Sequence, residues 1–277
     1  YNVVLRATDQ LVGTVTTDAA GKGTASGLDR NTEYTIGHAV YGSVHGTTLL
    51  VDAKDIAGQF ADAGTDTTHS GDGTDETAEN TKVTVTVDPQ TGNYRVTVKE
   101  NIDRTVEIPD TWENVTLDLN GNSISGQNAT ADAAAQPGLI FTKDTAVDAN
   151  PNPGTNLTVV NGTVKGGDGS VEHPDGAAGV MTDAANAPAS ATITAGTNGV
   201  IRGGNGANAV TDSGKDGGNG GAGISGSIET VVGGGNVIGG DGGNGADANV
   251  GKPGNGGNGG SGTKTNKGVT INAGSVI

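Results

Sequence analysis

An apolar strand end running into a pair of glycines returns at an almost fixed interval along the C-terminal two-thirds of this chain. Its forms are Asn122-Ser-Ile-Ser-Gly126, Asn161-Gly-Thr-Val-Lys-Gly-Gly167, Asn198-Gly-Val-Ile-Arg-Gly-Gly204, Asn236-Val-Ile-Gly-Gly240 and Ser275-Val-Ile277. With Ile124, Val164, Ile201, Ile238 and Ile277 as the equivalent apolar positions, the steps are 40, 37, 37 and 39 residues. Periods of this size belong to solenoids, blades or arrays.

Two more ladders share the period. Gly138-Leu-Ile140, Gly179-Val-Met181, Gly223-Ile-Ser225 and Gly262-Thr-Lys264 follow the repeat starts. Val115-Thr-Leu117, Leu157-Thr-Val159, Ala191-Thr-Ile193, Ile228-Glu-Thr230 and Val269-Thr-Ile271 precede them. An apolar pair flanking one polar residue reads as a short strand with one face inward. Only 3% of residues are aromatic and 51 are glycine, so a broad globular core is out of reach. A solenoid needs only a thin column of Val, Ile and Leu, each rung resting on its neighbours.

The fold class expected is therefore all-β: a parallel β-helix with glycine-rich insert loops, preceded by a small β-sandwich-like module. Residues 1–60 read as that module, through Val3–Leu5, Gly13–Thr16, Gly23–Ala25, Glu33–Ile36 and Thr48–Val51 separated by turn residues. Residues 61–81 carry six carboxylates, no Lys or Arg and nothing apolar larger than Ala, which is the composition of an extended linker. Residues 82–277 form the solenoid, opened by a hairpin of Val83–Val87 and Tyr94–Val98 that would cap its first coil. Tyr1 opens in mid-strand without Met or signal peptide and Ile277 stops within a repeat, so the sequence reads as an excised piece of a longer protein.

The run from Arg104 to Gly126, with Val115, Leu117 and Leu119 alternating inward and Asn120-Gly121 turning the corner, resembles the opening coils of right-handed parallel β-helix modules in bacterial surface and secreted proteins. Those modules share the pectate-lyase architecture with many adhesins, so the resemblance implies a fold and an extracellular, secreted or wall-attached setting. Thr17–Leu28 followed by Asn31–Tyr34 resembles the immunoglobulin-like or collagen-adhesin B-type modules that serve as stalks.

Between each glycine pair and the next strand lies an insert, at residues 127–137, 168–178, 205–222 and 241–261. In the later ones the larger side chains recur every third position: Asn205 and Asn208; Asp216, Asn219 and Ala222; Asp241, Asn244 and Asp247; Asn255, Asn258 and Ser261. A period of three is that of the polyproline-II helix, which polyglycine also adopts. Leaving the solenoid at one point of each coil, the inserts should lie side by side as a slab edged with Asp and Asn, bare backbones touching through Cα–H···O contacts worth about 0.5–1 kcal/mol each. The Gly-Gly-X pattern resembles the glycine-rich tips of phage tail adhesins and the polyglycine bundles of springtail antifreeze proteins. The ligand-binding residues expected are Asp216, Asn219, Asp241, Asn244, Asp247, Asn255 and Asn258.

No cofactor is expected. Gly203–Val210 and Gly242–Asp247 approach a calcium-binding nonapeptide, with Asn208 where Asp belongs in the first and Asn249 in an apolar place in the second, so calcium is the one ion left open. Net charge of −16 points away from nucleic acid and anionic membrane as partners. No apolar run approaches a spanning length, and with no cysteine there is no thiol chemistry. The histidines His38, His45, His69 and His173 are not placed by the repeat, and the outward strand positions Thr116, Thr158, Thr192 and Thr270 lack the paired acids of glycoside cleavage. The expectation is a non-enzymatic adhesin or display protein binding a carbohydrate or surface protein of a host or neighbouring cell. The alternatives are a polysaccharide lyase or hydrolase on the same scaffold, with Asp118 among its acids, and a filament or wall subunit associating end to end.

Overall fold

The computed structural model describes residues 2–5, 10–14, 34–37, 53–61, 68–69, 77–87, 93–112, 114–143, 154–185, 187–188, 190–249 and 251–277. It is nearly all-β, and from about residue 100 onward the chain winds into a parallel β-solenoid of about four turns. Each coil contributes one short strand to each of three faces. The first face stacks Val115–Asp118, Thr155–Val160, Ala191–Ala195 and the first halves of Glu229–Ile238 and Val269–Val276, all parallel. The second stacks Ser123–Ser125, Gly162–Lys165, Gly199–Arg202 and the second halves of the same two long strands. The third stacks Val106–Pro109, Leu139–Thr142, Val180–Thr182, Ile224–Gly226 and Thr263–Thr265.

Alternation of side chains along each strand sends one set of residues into the bore. On the third face Val106, Leu139, Val180, Ile224 and Thr263 stand in register, so the glycine-led ladder seen in the sequence is reproduced residue for residue. On the second face the column is Ile124, Val164, Ile201, Val237 and Val276, the first four fully buried. Burying such a side chain is worth about 1.5–3 kcal/mol, which a rung this thin needs from every position.

That column corrects the sequence reading at two places, since Ile238 pairs with Arg202 and faces outward, while Ile277 is 70% exposed. The reason lies at the corner before the strand. Asn161 and Asn198 turn it with φ of 55° and 54°, and in the next coil Gly234 does so at φ 111°. Glycine adopts this left-handed conformation without a Cβ penalty, so the corner moved off asparagine, and Asn236 is a strand residue opposite Val200. On the first face the ladder slips by two at two steps: Leu157 pairs with Ile193, not Ala191, and Thr230 with Val269, not Ile271, while Ile193 meets Thr230 as aligned. A two-residue slip preserves which face each side chain takes, so Thr116, Thr158 and Thr194 form the outward row in place of Thr192.

The first coil is covered. Val83–Val87 and Tyr94–Val98 pair antiparallel, and Tyr94–Val98 lies parallel on Val115–Asp118. Against this hairpin packs a helix, Ala53–Phe60, burying Ala53, Ile56, Ala57 and Phe60 at helical spacing. Phe60 stacks on Trp112 with centroids 6.0 Å apart, and Arg104 Nη2 donates to the carbonyls of Gln59 and Ala61 at the helix end. The sequence reading had this stretch within an all-β module and Thr77–Glu79 within the linker. Thr77–Glu79 is a strand paired antiparallel to Val83–Val87, and Asn80 Nδ2 donates to Ala57 O. Farther upstream, Asn2–Leu5 sits between Gln10–Thr14 and Tyr34–Gly37 in a small antiparallel sheet. The strands expected at Gly23–Ala25 and Thr48–Val51 lie outside the described residues. Among those described, no helix is long and apolar enough to cross a membrane.

Candidate functional site

Each insert leaves the second face, runs out, turns and returns to the third. The two legs are extended, and their backbone hydrogen bonds run across coils. Gly260 N–H donates to Gly240 O, Gly240 to Gly221, Gly221 to Gly204, Gly204 to Ala177, Ala177 to Gly167 and Gly167 to Gln136, at 2.7–2.9 Å throughout. Three residues farther out the same zigzag repeats through Gly257, Gly243, Gly218, Ala207 and Pro174. Outgoing and returning legs thus alternate as one hydrogen-bonded layer extending from the solenoid.

The spacing requires glycine. A Cβ on Gly204 would lie 1.8 Å from Gly167 O, one on Gly218 1.7 Å from Pro174 O, and one on Gly260 1.9 Å from Gly221 O. In the later inserts Asp and Asn recur at every third position, between glycines packed this closely.

These side chains close a second set of bonds. Asn128 Oδ1 accepts the backbone N–H of Asp168, Asp168 Oδ1 that of Asn205, and Asn205 Oδ1 that of Asp241, at 2.7–3.0 Å. One step outward, Asn208 Oδ1 accepts from Asn244 N–H at 2.8 Å. On the returning legs Asp175 Oδ1 accepts from Asn219 N–H, Asn219 from Asn258, and Asp216 from Asn255, at 2.6–3.0 Å. Two cations brace the outgoing row: Lys165 Nζ to Asp168 at 2.6 Å and Arg202 Nη2 to Asp241 Oδ2 at 2.8 Å.

The seven residues expected to bind ligand therefore fall into groups. Asp216 and Asn219 are inside the ladder, each accepting from the next coil. Asp241, Asn244, Asn255 and Asn258 are held from below through their own N–H groups and stand at the last coil. Asp247 lies near the insert's turn, its backbone carbonyl accepting from Gly214 N–H at 3.0 Å. Asn128, Asp168 and Asp175 were missed as members of the rows, although Asn128, Asp168, Asn205 and Asp241 are each the second residue after Gly126, Gly166, Gly203 and Gly239. That repeated offset was the available signal. Asn208, at the Asp position of the first nonapeptide copy, has its Oδ1 occupied by Asn244 N–H; among the described residues no group of three His, Cys, Asp or Glu side chains could hold a metal.

Beside the first insert, which has no glycine leg over its outer side, a cleft of about 910 Å³ opens. Asp103, Gln127, Asn128, Ala134, Lys165 and Asp168 are among the residues that line it. Its lining includes amide, hydroxyl, carboxylate, ammonium and guanidinium groups, which bond a polar, hydroxyl-bearing ligand. Asp168 has both oxygens engaged, Oδ1 by Asn205 N–H and Oδ2 by Lys165, so it positions the insert and is poorly placed to move a proton.

Asp118, the acid the enzymatic alternative drew on, sits elsewhere, at the corner between the first and second faces. Burial alone would raise its pKa. Hydrogen bonds from Asn161 Nδ2 and Asn120 N–H, then the Arg95 guanidinium, outweigh that and hold it below the ordinary 3.8. It is a staple of the corner.

No known protein family, characterised protein or solved structure gives a significant match to this chain.

Proposed function

We propose that this chain is an extracellular adhesin or surface-display protein, its solenoid a rigid mast and its glycine-leg layer the presenting surface, with a carbohydrate of the partner surface seated in the cleft beside the first insert. The observation that carries the reading is the cleft itself, where the layer's edge, polar side chains and open volume meet. The Asp and Asn rows hold the layer flat, and their exposed outer atoms flank the ligand. Pre-organisation by the solenoid removes much of the ordering cost that loops otherwise bear on binding. The upstream sheet fits a stalk module of the immunoglobulin-like or collagen-adhesin type, and the glycine layer the Gly-Gly-X geometry of phage tips.

Against the enzymatic alternative stand the Asp168 oxygens, each bonded within the insert, and the stapled Asp118. Against a head-to-tail filament stands the covered first coil. The test is a glycan array probed with the whole chain and with Ala134→Trp, an exposed position on the cleft wall where a bulky ring fills the volume without touching the ladder. Specific glycan binding lost in the variant at unchanged unfolding temperature supports the assignment. Binding that survives occlusion, or turnover of a polysaccharide, overturns it.

A further inference from the structure

The cleft beside the first insert has its origin in the course of the chain. From Ile124 onward, each passage from the second face to the third runs out and back through an insert. One coil earlier it does not: Ile102, bridged in parallel to Ile124, is followed only by Asp103, Arg104 and Thr105 before Val106 opens the third face. No leg pair of that coil stacks on the first insert, and the cleft of about 910 Å³ lies in its place.

The wall of this slot carries backbone donors that every later coil satisfies. Gln127 stands where Gly167, Gly204 and Gly240 stand in the following coils, and their N–H groups donate to Gln136 O, Ala177 O and Gly221 O, each at 2.8 Å. Asn128 stands where Asp168, Asn205 and Asp241 stand, whose N–H groups donate to the side-chain oxygen of the preceding coil at 2.7–3.0 Å. The N–H groups of Gln127 and Asn128 themselves meet no acceptor among the described residues, and both residues are exposed on the cleft.

The first of these donors is met elsewhere by a peptide carbonyl. On a carbohydrate, the substituent that reproduces a peptide unit is the acetamido group, with its planar C=O and N–H. Charge narrows the choice further. Lys165 is bonded to Asp168, and the Arg104 guanidinium to the carbonyls of Thr105, Gln59 and Ala61, so both cations of the cleft are already engaged. Asp103 adds a carboxylate, which disfavours an anionic ligand and accepts from a hydroxyl or an amide N–H. Ala133 and Ala134 line the same cleft with methyl groups, a surface for the acetamido methyl.

We propose that the cleft takes an uncharged N-acetylhexosamine of the partner's glycan, the sugar standing in for the absent leg. Its acetamido carbonyl accepts from Gln127 N–H and a neighbouring sugar oxygen accepts from Asn128 N–H. This rests on the carbohydrate reading above and names the sugar class that reading leaves open.

The test is an amide-resolved NMR titration of the whole chain with glycosides of N-acetylglucosamine and N-acetylgalactosamine and with their glucose and galactose parents. The Gln127 and Asn128 amide signals should shift saturably with an acetamido sugar, and the parent sugar should bind at least tenfold more weakly. Gln127→Pro removes the donor from an extended leg and keeps the carbonyl that Gln136 N–H uses, so it should weaken acetamido binding at least tenfold, whereas Gln127→Ala should not. Should the proline variant fail to fold, the comparison of acetamido and parent sugars on the wild type decides. Glycan binding that Ala134→Trp abolishes but that ignores the acetamido group would overturn this inference and leave the carbohydrate reading standing. Absence of binding to any glycan would remove both. A Gly-Gly-X peptide that shifts the two amides where no sugar does would assign the slot to a polypeptide and overturn the inference as well.

Discussion

The carboxylate Oδ1 of Asp216 accepts two hydrogen bonds from Asn255, one coil further along: the backbone N–H at 2.6 Å and the side-chain Nδ2 at 3.2 Å. The pair is exposed, yet it satisfies a main-chain donor that no neighbouring leg reaches. Asp216→Ala should therefore loosen the layer locally, costing about 1 kcal/mol or somewhat more for a charge-assisted bond. Hydrogen exchange would show it as faster exchange at Asn255 N–H with the strand columns unchanged. Asp216→Asn, which keeps the acceptor, should exchange nearly as the wild type. Equal exchange in all three proteins would mean the row is ornamental to the layer's order.

The glycine legs make a sharper demand. Gly204→Ala places a Cβ at 1.8 Å from Gly167 O, backbone that cannot swing aside. The expected loss is at least the 1–3 kcal/mol or so of an overpacked core, measured by denaturant unfolding. A loss under about 0.5 kcal/mol would show that the legs are not packed at the spacing described.

Thr230 marks a fault in the bore. Its Oγ1 is buried without a partner, in a column between Ile193 and Val269. Thr230→Val removes the unmet hydroxyl at nearly constant shape and should stabilise the fold by about 1 kcal/mol, visible as a higher denaturation midpoint with unchanged slope.

Asp118 sets an acid limit. Its pKa in the folded chain is held below the ordinary 3.8, so the carboxylate contributes stability that is fully present above that value and is lost as pH falls through the folded pKa. The stability gap between wild type and Asp118→Asn should shrink as pH drops below about 4. A gap that stays constant on acidification would mean the corner does not depend on the charge.

How much of this was legible from residues alone varies with what enforces each register. On the third face the glycine before each strand is needed where the insert rejoins the coil, and a Cβ on Gly138 or Gly179 would strike backbone. The Gly138, Gly179, Gly223 and Gly262 ladder could therefore be aligned without error. On the second face the corner can be turned by Asn198 or by Gly234, and aligning on asparagine put Ile238 in the column that Val237 occupies. The first face has alternating β-branched residues with no unique marker, so a slip by two passed unnoticed. The helix Ala53–Phe60 was missed because its apolar stripe follows directly on Leu49-Leu50-Val51, which reads as strand. The Asp and Asn rows were visible as rows. That their oxygens are taken by backbone N–H groups depends on the distance between coils, which no single insert encodes.

The central claim is the register of stacked coils, and the absence of cysteine makes it directly measurable. Val200 and Asn236 are register partners on adjacent coils with side chains outside the bore, whereas Val237 points into it. Parallel neighbours of this kind are within the Cα separation a disulfide spans. Under mild oxidation V200C/N236C should close an intramolecular disulfide in the native state, and V200C/V237C should not. A bond in the second pair and none in the first would contradict the stacking on which the layer and the cleft both depend.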